Sequence, residues 1–276
     1  MARDGRGLMA LQLHTVPAAR GLQWLRDGWR VFARKPLAFT GLFAMFLFAA
    51  LAAMLIPWVG PLALLASMPL LTLGFMIGTR EALADRFPTP AVFVVPLRSQ
   101  TKRRIALLKL GIGYAIATVV IIVLADAIDG GVFAELQAQL AHRDQDSTRV
   151  AELLADPRLP TGLIVRFGLA ALLSVPYWHA PALAYWGGQP AAQSLFSSTL
   201  AIWRNRGAFA MYFVGWVALV AGFALLAGVL LEMFGMRQAI AVLALPAGLT
   251  FSAAFYASLW FTFADCFADS RTIAGP

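Results

Sequence analysis

From Leu37 to Thr79 the chain runs for 43 residues without a charged side chain, with Lys35 before the run and Arg80 after it. At ~1.5 Å rise per residue, one straight helix of that length would reach ~65 Å, about twice the ~30 Å hydrocarbon core of a bilayer. The run therefore has to cross a membrane twice. Its middle, Ile56-Pro57-Trp58-Val59-Gly60-Pro61, carries turn residues and an aromatic suited to interface depth.

Composition extends this reading to the whole chain. Hydrophobic residues make up 60% and charged residues 13% of the 276 positions, against ~45–50% and ~25% in soluble domains. Mean hydropathy is +0.74. The uncharged runs place six spans at Leu37–Trp58, Val59–Thr79, Ile105–Ala125, Thr161–Trp186, Gly207–Leu231 and Ala239–Ala264. Lys109 lies inside the third span, one turn from its end, where its stem reaches the headgroups. No cleavable signal peptide is recognisable, and the first span reads as a retained signal-anchor.

Charge asymmetry gives the orientation. Sixteen basic residues fall on one side of the six spans. They are Arg3, Arg6, Arg20, Arg26, Arg30, Arg34, Lys35, Arg80, Arg86, Arg98, Lys102, Arg103, Arg104, Arg204, Arg206 and Arg271. The other side has four, Arg143, Arg149, Arg158 and Arg237, and most of the acids. The positive-inside rule puts both termini in the cytoplasm of a bacterial inner membrane. The net charge of +8 then points to anionic lipid and not to nucleic acid.

Before the first span, Leu22, Leu25, Trp29 and Phe32 share one helix face, with Arg20, Arg26, Arg30 and Arg34 largely off it. Pro17 and Pro36 are placed to start and stop this helix. The pattern predicts an amphipathic helix lying in the membrane interface. Arg20, Arg26, Arg30, Arg34 and Lys35 would then contact lipid headgroups. The alternative is an ordinary helix packed on the spans. A faint echo recurs 171 residues on, at Leu200–Ala210, where Trp203, Arg204 and Arg206 again precede a helix breaker and an apolar span. This would make the chain a parallel repeat.

The segments thus read as a cytoplasmic N-terminus (1–36), a first hairpin (37–79) and a basic loop (80–104). A second hairpin follows (105–186) with an acidic outer loop (126–160). An amphipathic connector (187–206), a third hairpin (207–264) and a tail (265–276) complete the chain. In the basic loop, the apolar run Ala91–Leu97 is too short to span and is expected to dip into the interface. In the outer loop, Val132, Phe133, Leu136 and Leu140 predict one short amphipathic helix, and Val150, Leu153 and Leu154 a second.

Candidate chemistry concentrates in the fourth span. Pro176 and Pro181 each remove a backbone donor and break the helix, and His179 lies between them beside Tyr177 and Trp178. An ionisable side chain in a broken span is a candidate binding site, as in transporters. The plainer alternative is a histidine hydrogen-bonded to a freed carbonyl within an aromatic belt. Arg166, about one turn into the same span, is placed to pair with Asp129 or Asp126 at similar depth. His142, Asp144 and Asp146 read as a solvated loop, not a metal site. The single Cys266 excludes an intrachain disulfide and a multi-cysteine zinc site. No phosphate-binding glycine loop, HExxH, GxSxG or CxxC occurs, so neither a cofactor nor an enzymatic constellation is expected.

The order of these features resembles an uncharacterised, proteobacterial-type family of inner-membrane proteins with no assigned activity. The resemblance rests on Val16-Pro17-Ala18-Ala19-Arg20-Gly21 with Trp24, Phe32-Ala33-Arg34-Lys35-Pro36 and Ile56-Pro57-Trp58-Val59-Gly60. It continues through Leu73-Gly74-Phe75-Met76, Ala180-Pro181-Ala182-Leu183, Trp203-Arg204-Asn205-Arg206-Gly207-Ala208-Phe209 and Asp265-Cys266-Phe267. The resemblance brings no substrate and no site residues. The sequence reading is an all-α, polytopic integral membrane protein with six transmembrane helices and an N-terminal amphipathic interfacial helix. It is non-enzymatic and acts through lipids, a second copy of itself or a membrane-protein partner. The alternative is a small transporter or permease-type subunit with its site at the broken fourth span.

Overall fold

A computed structural model describes residues 11–141, 146–236 and 239–267. Of the residues singled out above, Arg3, Arg6, His142, Arg143, Asp144, Arg237 and Arg271 lie outside these. The described chain is all-helical. Its elements are α1 (Arg20–Arg34), α2 (Pro36–Met54), α3 (Val59–Leu83), α4 (Thr101–Asp129), α5 (Val132–Ala141) and α6 (Ser147–Ala155). They continue with α7 (Arg158–Tyr177), α8 (Ala180–Trp186), α9 (Ala191–Arg204), α10 (Arg206–Met233) and α11 (Ala239–Phe267).

Six segments are long and apolar enough to cross a membrane: Pro36–Met54, Val59–Leu83, Thr101–Asp129, Arg158–Trp186, Arg206–Met233 and Val242–Phe267. The chain alternates direction through them. α1 packs on α10 and α11 and touches α2 and α3, at the end of the bundle that carries most of the arginines and lysines. α5 and α6 lie at the other end, where Val132, Phe133, Leu136 and Leu140, and then Val150, Leu153 and Leu154, predict them; Val132, Leu136 and Leu153 are buried there against Leu159, whereas Leu140 and Leu154 stay exposed.

Local sequence sets the boundaries. Lys35 leaves helical geometry at φ −138°, ψ 56°, and Pro36 opens α2 at a position where its missing N–H costs nothing. At the far end of α2 the chain reverses through Trp58, whose φ is +64°. Gly60 then passes so close to Ala53 that a Cβ would lie 1.7 Å from its carbonyl oxygen. Only glycine permits so short a turn there.

The core of the bundle is aromatic. Phe39, Phe75 and Tyr256 stack where α2, α3 and α11 meet, with Phe75–Tyr256 centroids 5.0 Å apart. The Thr79 hydroxyl, fully buried, donates to the Ala257 carbonyl at 3.0 Å and pins α3 to α11. The Ala91–Leu97 run forms two 3₁₀ turns, Pro90–Phe93, which folds back on α3, and Val95–Arg98, which packs on α4. Val92 is buried, and Phe93 meets Phe75 edge-on at 6.0 Å. The run thus finds its apolar partner in the protein itself.

α1 differs from the expected picture in which face it buries. Gly21, Trp24, Gly28, Val31 and Phe32 face inward against α10 and α11, whereas Leu22 stays 44% exposed. The two glycines explain the choice. A Cβ on Gly21 would lie 2.0 Å from the Ala208 carbonyl oxygen, and one on Gly28 would lie 2.2 Å from the Ser258 Cβ. Backbone contact at these points rotates Trp24 into the core and covers the glycine-bearing stripe with protein.

The expected echo has a counterpart in element order, since α1–α2–α3 and α9–α10–α11 each run short helix, break, hairpin. Neither short helix packs mainly on the hairpin it precedes: α1 sits on α10 and α11, and α9 on α7 and α8. Beyond Trp216, α10 diverges from α11. An apolar cleft of about 790 Å³ opens between them, walled by Trp216, Phe223, Phe251 and Phe255.

Candidate functional site

At the break in the fourth span, α7 ends at Tyr177 and α8 begins at Ala180. A continuous helix would bond the His179 N–H to the Val175 carbonyl. Instead the Ser198 hydroxyl of α9 sits in that gap. It accepts from the His179 N–H at 3.0 Å and donates to the Val175 oxygen at 3.1 Å. One hydroxyl thus replaces one rung of the ladder, which satisfies both backbone groups and fixes α9 to the kink.

The His179 side chain points into the bundle and is fully buried. Its Nε2 lies 3.1 Å from the Thr262 hydroxyl, to which the Trp178 indole N–H also donates at 3.2 Å. Thr262 in turn donates its only proton to the Leu259 carbonyl at 2.8 Å. Its two lone pairs must therefore accept from Trp178 and His179, so Nε2 carries the imidazole proton. Nδ1 is then a bare lone pair, and among the described residues it has no hydrogen-bond partner. Phe209, Phe263 and Phe267 surround the ring at centroid distances of 5.8, 5.9 and 5.4 Å. Among the described residues no carboxylate touches it, and the ring is closely packed on three sides.

Pro181 is buried beside it, Pro176 and Trp178 are half-buried, and Tyr177 meets Tyr114 edge-on at 5.1 Å. The break brings these residues together as a closed aromatic junction. His179 does not line the apolar cleft between α10 and α11.

At the opposite end, Arg166 reaches both carboxylates within its range. It pairs with Asp126, and its second nitrogen lies 3.5 Å from Asp129 Oδ2. The latter contact is electrostatic only, because neither atom has a hydrogen-bond partner there. Asp129 is fully buried and accepts from the Gly131 N–H at 2.8 Å. Phe133 covers the guanidinium at 4.2 Å.

At the basic end the predicted headgroup contacts divide into two groups. Arg20 is taken up by Asp265, at the end of α11, through a two-pronged ion pair, and also donates to Gln23 at 2.5 Å. The hydrogen bond to Asp265 raises the Arg20 guanidinium above its ordinary pKa. Asp265 also accepts from the Trp24 indole at 2.6 Å. Lys35 donates to the Asp85 and Arg86 carbonyls and pairs with the Asp85 carboxylate at 3.1 Å. By contrast Arg26, Arg30 and Arg34 stand exposed on the outer face of α1, and of these only Arg30 has an ion-pair partner among the described residues, Asp27 at 3.5 Å.

Asn205, buried between α9 and α10, ties the segment before α1 to the same place. It accepts from the Val16 N–H at 2.8 Å and donates to the His14 and Ala201 carbonyls, each at 3.0 Å. Ser198, Asn205, Thr262 and Asp265 are the residues that sequence reasoning missed. Thr262 and Asp265 each stand alone among apolar neighbours, which is a weak signal, whereas Ser198 is flanked by Ser197 and Thr199 and Asn205 by Arg204 and Arg206, so neither stands out.

A cleft of about 630 Å³ opens at this basic end between α3, α8, α11 and the second 3₁₀ turn. Arg80, Glu81 and Arg86 line it, opposite Tyr185, Trp186 and Trp260.

Comparison with known proteins agrees with this architecture. The chain is 29% identical over 261 residues to a probable inner membrane protein of Burkholderia thailandensis, covering 93% of this chain and 94% of that one. No family model matches, and no solved structure matches. The relative's description and the six apolar helices together make this a multi-pass inner-membrane protein.

Proposed function

We propose that the chain is a non-enzymatic inner-membrane protein that works through lipid contact, with its basic end and both termini in the cytoplasm. The observation that carries this reading is the outer face of α1. Its inner face is used up on α10 and α11, yet Arg26, Arg30 and Arg34 remain exposed on its outer face, which this reading sets at headgroup depth. Cations placed there gain about 1 kcal/mol each from an anionic leaflet. The closed packing around His179 favours a structural role for that residue over a transport site.

The test is mass spectrometry of the gently extracted, affinity-purified protein, with co-purifying lipids and proteins measured together. Anionic lipid should be enriched over its share of the membrane. Changing Arg26, Arg30 and Arg34 together to Gln should lower that enrichment at least tenfold, given ~1 kcal/mol per cation. Unchanged enrichment would refute the lipid reading. A stoichiometric soluble ATPase or second permease would replace it with a transport subunit.

A further inference from the structure

The cleft at the basic end holds an unusual set of charges. Arg80, Glu81 and Arg86 all line it, and among the described residues none of their side chains forms an ion pair or a hydrogen bond. Arg80 and Glu81 are adjacent on α3, and neighbours in sequence do not face each other on a helix. The facing wall is aromatic. Trp186 meets Trp260 at 5.1 Å and Tyr185 at 5.5 Å, in both cases nearly edge-on. Trp260 is itself buried, and its indole nitrogen has no partner among the described residues. The cleft is formed by the last turns of α3 and α8 and by α11 near its end at Phe267, so it lies at the depth of the lipid headgroups on the basic side.

A ligand complementary to this set carries both signs. Two guanidiniums suit a phosphate ester, while one carboxylate facing three aromatic rings suits an ammonium group. A purely anionic headgroup would use the arginines but leave Glu81 opposing it. A purely cationic ligand would oppose both arginines. From this juxtaposition we infer that the cleft is a binding site for the phosphoethanolamine headgroup of a phospholipid. At about 630 Å³ the cleft falls within the range of small-molecule sites. The inference rests on the reading of the basic end as headgroup-facing, and it adds a defined site to the diffuse contact made by α1.

The intact protein is exchanged into nanodiscs of mixed phosphatidylethanolamine, phosphatidylglycerol and phosphatidylcholine, and the lipid it retains is read by native mass spectrometry. The wild type should retain phosphatidylethanolamine over both others. Glu81→Gln should lower its preference over phosphatidylglycerol by about fivefold, the worth of one modest charge contact. Arg80→Gln with Arg86→Gln should lower retention of all three. Equal retention of phosphatidylethanolamine and phosphatidylglycerol by the wild type would overturn the inference, as would an unchanged preference in Glu81→Gln. To separate lipid from a soluble ester, free phosphoethanolamine is titrated while tryptophan fluorescence is followed. Saturable binding of the free ester without retention of the lipid would overturn the lipid assignment. The Arg26, Arg30 and Arg34 variant distinguishes the two readings. It should lose anionic enrichment yet keep phosphatidylethanolamine in the cleft, so either result can fail alone.

Discussion

Asp265 is where α1 is fastened to the last span, and its replacement gives the sharpest quantitative test of the packing. In the wild type it accepts from the Trp24 indole at 2.6 Å and grips the Arg20 guanidinium. Asp265→Ala leaves a fully buried indole N–H without an acceptor, which costs about 1–3 kcal/mol. The Arg20 side chain is 34% exposed, so solvent screens its half of the pair and the lost ion pair adds only ~0.2–1 kcal/mol. The expected total is about 1–4 kcal/mol. At ~2–4 °C per kcal/mol for a chain approaching this size, the midpoint of thermal unfolding falls by several degrees. Asp265→Asn keeps an acceptor for Trp24 and loses only the charge, so its cost should stay below about 1 kcal/mol. The assay is thermal or denaturant unfolding in one fixed detergent or nanodisc, followed by tryptophan fluorescence. A cycle with Trp24→Phe isolates the indole contact: Asp265→Ala should cost less in the Phe background, because no buried donor remains to be orphaned. If Asn and Ala at 265 are equally damaging, or if the costs of Asp265→Ala and Trp24→Phe add fully, the buried indole bond is not what holds α1.

Three further outcomes follow from the same geometry. Ser198→Ala should destabilise the protein by about 1–3 kcal/mol, since it strands the His179 N–H and leaves the Val175 carbonyl with only the long 3.4 Å bond from the Trp178 N–H; a cost below about 0.5 kcal/mol in denaturant unfolding would mean that the kink is satisfied without the hydroxyl. Gly21→Ala should lift α1 from α10, because the added Cβ would sit 2.0 Å from the Ala208 oxygen. Limited proteolysis should then cut between residues 11 and 36 faster than in the wild type, and equal rates would contradict so close an approach. Arg166→Ala should lower stability by about 3 kcal/mol or more by leaving Asp129 buried without a counter-charge. Asp126→Ala or Asp129→Ala should add little on top, and full additivity in unfolding free energy would show that the three do not act as a unit.

The bundle was legible in the sequence because its determinants are local. Length and apolarity alone place spans at Leu37–Trp58 and Gly207–Leu231, close to the helices Pro36–Met54 and Arg206–Met233, and the spacing of Val132, Phe133, Leu136 and Leu140, and of Val150, Leu153 and Leu154, is enough to write α5 and α6. Orientation of α1 about its own axis was not legible. Hydropathy favours Leu22, Leu25, Trp29 and Phe32 as the buried stripe. The structure selects a stripe through Gly21, Trp24 and Gly28, because backbone contact with Ala208 and Ser258 outweighs the burial of one leucine. Such a preference belongs to the partner surface and leaves no periodic trace. The site was half legible for a related reason. Two prolines announce the break around His179, but the groups that complete it, Ser198 and Thr262, lie 19 and 83 residues further on. Nothing in their neighbourhoods sets them apart from other hydroxyls in apolar helices. The pairing of Arg166 with Asp126 and Asp129 was readable because depth in a membrane is itself a coordinate that sequence position supplies.

The fastening of α1 to α11 also sets an order of assembly. Arg20 and Asp265 are separated by 245 residues, so α1 meets the acceptor of its arginine only after all of the intervening chain has been made. At ~5–20 residues per second the interval is roughly 12–50 s. Until α10 arrives, Trp24 lacks the Phe209 and Tyr212 rings that cover it, and the membrane surface is the nearest apolar phase. α1 is then held in two stages, first by α10 and then by α11. A chain that stops short of Asp265 leaves the Arg20 guanidinium and the Trp24 indole without their shared acceptor.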